Sequence, residues 1–316
     1  MSKYIIGVDV GGRSAKFGLF NEEGTLLDQW RIVSHTEESQ DTEKHQLITD
    51  IAQSVHAYCD LHGIAKEELA GVGVGIPGAV RDDGVVFDAV NLGWGVFNVR
   101  DELSEALGID QVYVSNDANI AALGEQWKGS GKKYDTIVMV TLGTGIGGGI
   151  VLKGKIWNGT SGAGGEIGHM KVPGDRLCNC GRRGCLERYT AAAGIVQNAS
   201  ELLMQSEADS VLRDVKKLSP SVVFDAAKAG DEIGMQAVEI FGDRMGFACA
   251  NICNVINPQA VIIGGGISAA GQIVLDVIEK YFRPRLMTAL EGTELSFAEL
   301  GNDAGIYGAA RMVMER

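Results

Sequence analysis

IIGVDVGGRSAKFGLF, residues 5–20, and IVMVTLGTGIGGGIVL, residues 137–152, follow one pattern. Each reads as an apolar strand, a glycine-rich turn and a second apolar strand. The first turn is Asp9-Val10-Gly11-Gly12 and the second Gly143-Thr144-Gly145-Ile146-Gly147-Gly148. No short period links the two stretches, which argues against a solenoid. The pair predicts two related α/β halves, each opening on a β-hairpin.

Outward from these hairpins the pattern alternates. Helical spacing of apolar residues covers Thr42–His62, Asn98–Leu107, Asn116–Trp127, Leu186–Leu203, Ser221–Ala229, Asp231–Asn254 and Ala304–Met314. Short strands are expected at Gly71–Ile76, Val112–Val114 and Ala260–Ile263. The division between halves is placed just after Asp117. Residues 1–117 then form a small N-terminal domain, with the C-terminal helix (within 301–316) packing back on it. Residues 118–300 form a larger domain.

The chain has 316 residues and a net charge of −13. That length is enough for two α/β cores. The acidity argues against a nucleic-acid partner, since phosphate neutralisation needs a basic face. No apolar stretch approaches the ~20 residues of a membrane helix, and Asp9 interrupts the N-terminal apolar run too early for a signal peptide. Cys59, Cys249 and Cys253 fall in helix-like segments and form no disulfide framework, which fits a reducing cytoplasm.

The turns suggest phosphate binding. Gly11 and Gly12 let backbone N–H groups face an anion with no Cβ in the way. Asp9 can hold Mg²⁺ through water, and Lys16 can reach a phosphate. A plain tight turn would account for one such hairpin, but two from two halves can clamp a polyphosphate. Gly264-Gly265-Gly266, after the strand at 260–263, can let an adenine or ribose pack on bare backbone. No Gly-Lys-Ser/Thr follows any of these turns, so none is a P-loop. The hairpin turns lead into strands, against the Rossmann pattern.

Residues 164–187, GGEIGHMKVPGDRLCNCGRRGCLE, gather His169, Cys178, Cys180 and Cys185 within seventeen positions. Three thiolates and one imidazole complete a tetrahedral zinc shell of the closed, structural kind. Glu166 and Glu187 interleave with these ligands and are placed to grip a hydroxyl-bearing substrate. Elsewhere, Ser115-Asn116-Asp117-Ala118-Asn119 ends a strand and opens a helix. Asn116 can cap that helix, which leaves Asp117 as a candidate base for a hydroxyl attacking a phosphoryl group.

With these pieces together the chain resembles the ROK family of sugar kinases and repressors, most of all its bacterial ATP-dependent glucokinases. The likeness runs from Asp9-Val10-Gly11-Gly12 through Gly73-Val74-Gly75-Ile76-Pro77-Gly78, Asn91-Leu92-Gly93-Trp94, the Asn116–Asn119 piece, the second hairpin and the cysteine block to the C-terminal helix. It implies the actin-like ATPase (ribonuclease H-like) fold, two α/β domains around a cleft. It implies transfer of the γ-phosphoryl group of ATP to the 6-hydroxyl of glucose, with Asp117 as base. Gly78, Asn91, Asn116, Glu166, His169 and Glu187 would line the sugar, and His169 would use its other ring nitrogen on zinc. Asp9, Gly11, Gly12, Ser14, Lys16, Thr144, Gly145, Gly147, Gly265 and Gly266 would serve Mg²⁺–ATP. Homodimers or homotetramers are the expected assemblies. One departure stands out: the family's usual Thr or Ser after Gly-Gly is Arg13 here, leaving Ser14 to supply the hydroxyl. A kinase for N-acetylmannosamine, fructose or allose fits the same carboxylates. A sugar-responsive repressor or sensor fits less well, because the first strand starts by Tyr4, the charge is acidic, and Asp9, Lys16 and Asp117 are intact.

Overall fold

The computed structural model describes residues 3–12, 14–33, 42–87, 89 and 92–315, the side chains of 42–45 excepted. In chain order its first half contains β1 (Tyr4–Val10), β2 (Ser14–Asn21), β3 (Leu26–Val33), α1 (Thr42–His62), β4 (Leu69–Ile76), β5 (Ala79–Val80), β6 (Val85–Phe87), β7 (Phe97–Asn98), α2 (Val99–Leu107), β8 (Val112–Asn116) and α3 (Asp117–Lys128). The second contains β9 (Ile137–Leu142), β10 (Ile146–Leu152), β11 (Lys155–Ile156), α4 (Glu187–Thr190), α5 (Ala192–Gln205), α6 (Pro220–Lys228), α7 (Glu232–Ile256), β12 (Ala260–Gly264), α8 (Ile273–Phe282), β13 (Glu294–Phe297) and α9 (Ala304–Met314).

The contacts divide the chain into two units. Unit 1 holds residues 1–135, 149–165 and 299–316, and unit 2 holds 136–148 and 166–298. The division expected after Asp117 is therefore found later, after residue 135. Helix α3 stays with unit 1 because it packs on α9 at backbone contact. A Cβ on Gly308 would lie 1.7 Å from the Ile120 carbonyl oxygen, and one on Gly124 would lie 2.1 Å from that of Ala304. Only glycine permits that approach.

Unit 1 is built on a sheet ordered β3-β2-β1-β4-β8. Strands β1 and β2 form the predicted hairpin, with Asp9 opposite Lys16 and Val10 opposite Ala15. Strands β4 and β8 run parallel to β1 in turn. Ile6, Val8, Val72, Val74 and Ile76 are buried against Ile51 and Val55 of α1 and Leu103 of α2. The other side of the sheet is covered by α9, whose Ile306, Ala310 and Val313 cluster with Ile5 and Phe20. Both faces are covered, so the central strands read as near-continuous apolar runs.

The second sheet is ordered β11-β10-β9-β12-β13, with β9, β12 and β13 parallel. Within unit 2, α7 buries Phe241, Met245, Cys249 and Cys253 along one long face. The single helix expected over 186–203 is instead two, α4 and α5, broken at Ala191. The break lets the N–H of Ala192 donate to the Gly143 carbonyl at 2.9 Å, so this segment is fastened to the second glycine turn.

Candidate functional site

The candidate residues of unit 1 collect at the C-terminal ends of β1, β4 and β8, the usual place for chemistry in an open α/β sheet. Asn116 is the N-cap of α3, and its Oδ1 accepts from the N–H groups of Ala118 and Asn119 at 2.9 and 3.1 Å. Its Nδ2 donates to the Gly78 carbonyl at 2.9 Å. Asn116 therefore ties the helix start to the loop after β4. Asp117 follows at the first helical position, and its Oδ1 accepts from the Ala118 N–H at 2.8 Å.

Asp9 stands near Asp117. Burial, and then the negative charge of Asp117, push its carboxyl up to about 7, against the opposing pull of Lys16 and Arg31. A divalent cation would reverse this balance by favouring the charged form, so the residues fit Mg²⁺. Lys16 is not idle: its ammonium is bonded to the Asp303 carboxylate and to the Asn302 carbonyl. Gly305 packs against the Asp9 carboxylate, where an added Cβ would lie 2.4 Å from Oδ2. Beyond the turn, Gly12 faces open space, with nothing within 4 Å of a Cβ placed on it. Ser14 opens β2, and its carbonyl accepts from the Gly11 N–H at 2.9 Å. Asn91 and Arg13 lie outside the described residues.

In unit 2 the cysteine block forms a compact donor set. One ligand atom each from His169, Cys178, Cys180 and Cys185 lies within 4.8 Å of the others. Cys180 Sγ and Cys185 Sγ are 3.6 Å apart, and Cys178 Sγ and His169 Nδ1 are 3.8 Å apart. Zinc with Zn–S bonds of ~2.3 Å separates tetrahedral sulfurs by ~3.8 Å, so donor chemistry and spacing both fit. With Nδ1 turned to the thiols, Nε2 projects from the far side of the ring. The N–H of Arg182 and then its guanidinium hold the Cys180 thiol down to about 6. Burial, and then the Glu187 carboxylate, push Cys178 up to about 12.

Glu187 opens α4 beside this cluster. Its Oε1 accepts from the Cys178 thiol at 2.9 Å, and its Oε2 would be 3.7 Å from a Cβ placed on Gly145. Glu187 thus links the metal-type cluster to the second glycine hairpin. Glu166 is the exposed residue before the short helical turn at Ile167–His169. Thr144 and Gly145 are exposed at the hairpin tip, and Gly147 lies in β10. Gly265 has a positive φ of 86° and packs on the Leu142 backbone, whereas Gly266 faces open space. The chain's own packing therefore accounts for Gly265 but not for Gly266.

Sequence reasoning missed Asp303 and Gly305, because Lys16 and Asp303 are 287 positions apart. It also missed Asn158. Asn158 Oδ1 accepts from Ser115 Oγ at 3.2 Å and Asn119 Nδ2 at 2.9 Å, and its Nδ2 donates to Asp82 Oδ1 at 2.8 Å. It grips the strand-to-helix junction on both sides of Asn116–Asp117. No sequence pattern marks a lone Asn with that role.

Comparison with known proteins gives a consistent result. A family model described as ROK family matches residues 5–316. The chain is 38% identical to a glucokinase of Halalkalibacterium halodurans, covering 99% of this chain and 96% of that one. It is 36% identical to a glucokinase of Thermotoga maritima, covering 99% and 98%. Among solved structures, a ROK family glucokinase from Streptomyces griseus in complex with glucose and AMPPNP is similar at a TM-score of 0.72. That protein is 31% identical, with 99% and 100% covered.

Proposed function

The chain belongs to the ROK family, and from that membership we infer that it is a glucokinase, an ATP-dependent sugar kinase with the actin-like ATPase fold. The observation that carries the reading is the end-to-end likeness to enzymes bearing that name. The local geometry agrees with it: a carboxylate at a strand's end, glycine turns open to an anion, and a metal-type cluster joined to a second carboxylate.

In this reading the 6-hydroxyl of glucose attacks the γ-phosphorus of ATP. The O6–P bond forms, the bond to the β-phosphate oxygen breaks, and ADP leaves. Asp117 takes the hydroxyl proton, a contribution of about 10²–10⁴-fold. Asn116, Gly78, Asn91, Glu166, Glu187 and Nε2 of His169 hold the sugar. Gly11, Gly12, Ser14, Lys16, Thr144, Gly145, Gly147, Gly265 and Gly266 receive the nucleotide. Mg²⁺, held near Asp9, would supply charge neutralisation on the polyphosphate. Zinc on His169, Cys178, Cys180 and Cys185 would be structural, fixing the His169 ring and the Glu187 carboxylate.

We place the enzyme in the cytoplasm as a homodimer or homotetramer. The described residues hold no helix long and apolar enough to cross a membrane, and the cysteines are all unpaired. A kinase for a related hexose remains the second reading, because carboxylates that grip hydroxyls suit several sugars. The direct test is phosphorus NMR of the product from glucose and Mg²⁺–ATP. A phosphate monoester on O6 is expected. ADP formed without any sugar ester would refute the reading.

A further inference from the structure

We propose that unit 1 carries a second small-molecule site, for a phosphorylated monosaccharide, behind the junction that bears Asp117. A cavity of about 300 Å³ lies there, its polar lining made of Asp82, Arg100, Tyr113, Ser115, Lys155, Asn158 and Glu315. That volume is at the lower end of what small-molecule sites occupy. Every lining residue belongs to unit 1, and none is among the proposed sugar, nucleotide or zinc residues. Tyr113 and Ser115 project from one face of β8 and Asn116 from the other, because strand side chains alternate. Two of the lining side chains, Tyr113 and Ser115, therefore lie on the face of the strand opposite the Asn116 side chain.

The charge balance of the lining selects the ligand. Of the two carboxylates, Glu315 is ion-paired with Arg311 at 2.9 Å, and Asp82 accepts from the neutral Asn158 amide at 2.8 Å. The two cations are not satisfied. Among the described residues Arg100 reaches Asp101 at 3.9 Å and the Asp82 carbonyl at 3.5 Å. The Lys155 ammonium has no partner among the described residues. In a chain of net charge −13, this sets two cations against one uncompensated carboxylate, a small local excess of positive charge that suits a phosphate group.

The rest of the lining suits hydroxyls. Ser115 and Asn158 are joined in one hydrogen-bond node, and Asn119, 1% exposed, enters that node through its Nδ2. The Oδ1 of Asn119 is buried with no partner among the described residues. A polar network with a spare acceptor can accommodate the alternating donors and acceptors of a sugar. A nucleoside triphosphate is a poor fit, since its larger negative charge exceeds what two cations beside the Asp82 carboxylate can balance.

The test is calorimetric titration of glucose 6-phosphate into the whole protein held at saturating glucose and AMPPNP, so that the catalytic site is filled. One saturable binding event is expected, and Lys155→Glu should weaken it about tenfold or more while leaving glucose affinity unchanged. Lys155 is exposed, so the substitution disturbs no core. No saturable event, or one that Lys155→Glu leaves intact, would overturn the site. Inorganic phosphate binding as tightly as the ester would overturn the sugar assignment. Because Lys155 is outside the proposed catalytic set, its effect is readable even if a control glucose titration shows the glucokinase reading to be wrong.

Discussion

Asp117 owes its availability to its neighbour. Asn116 takes the capping duty that an aspartate at a helix start would otherwise perform, accepting from both Ala118 and Asn119. Asp117→Asn should therefore leave the helix start intact, lower kcat by about 10²–10⁴-fold and leave glucose affinity nearly unchanged by titration. Wild-type turnover would remove Asp117 from the role of base. The proposed zinc ligands make a separate prediction. Cys180→Ser should lower bound zinc by elemental analysis and raise KM for glucose together, because the cluster holds His169 and Glu187. Full activity in a verified zinc-free protein would contradict a structural zinc. At this scale, legibility depended on sequence distance. The four zinc-type ligands are legible because they fall within one short block. Asp303 on Lys16 and Gly305 on Asp9 are not, because the fold brings them together from opposite ends of the chain.

Elements with strong periodicity were read well, and weak ones were lost. Helices α1 and α9 end where the apolar spacing ends. Strand β3 was not foreseen, because it is an edge strand exposed over much of its length. Strands β5, β6 and β7, of two or three residues, are too short to carry a period. The break at Ala191 was also invisible, since what it serves is a tertiary hydrogen bond from Ala192 to Gly143. Helix α7 offers a pH test. Its N-cap, Asp231, accepts from Gly234 and Val211 N–H groups and from Ser210. Despite the opposing cost of partial burial, these donors hold its carboxyl below the ordinary value. A depressed carboxyl contributes stability that is present above the unfolded-state value of ~3.9 and is lost as pH falls through the folded value. Asp231→Asn should then cost at most about 1 kcal/mol at pH 7, with the gap to wild type closing below pH ~4. A gap that widened in acid, followed by chemical denaturation, would refute this.

At the scale of the whole molecule, the sequence foretold two α/β halves but misplaced their division. Helix α3 reads as the start of a second domain, yet bare backbone at Gly124 and Gly308 joins it to α9 in unit 1. A buried carboxylate reinforces that arrangement. Glu125 is 0% exposed and accepts from the N–H and hydroxyl of Ser130 and the N–H groups of Glu299 and Leu300. It fastens two stretches of unit 1 that adjoin the chain's passages to unit 2 at 135–136 and 298–299. A lone Glu in a helix gives no sequence sign of this. Glu125→Ala removes the bonds from four part-buried donors to a charged acceptor, worth about 1.5–3 kcal/mol each, so a fall in Tm of many degrees is expected. A Tm within a degree or two of wild type would show that solvent replaces the carboxylate. The central claim is the activity itself, and a coupled ADP-release assay with Mg²⁺–ATP and a panel of glucose, N-acetylmannosamine, N-acetylglucosamine, mannose, fructose and allose tests it most directly. The account predicts a kcat/KM for glucose about tenfold or more above every other sugar, a discrimination that hydroxyl-reading sites readily reach. A different preferred sugar, or no turnover with any of them in folded, zinc-loaded protein, would contradict it.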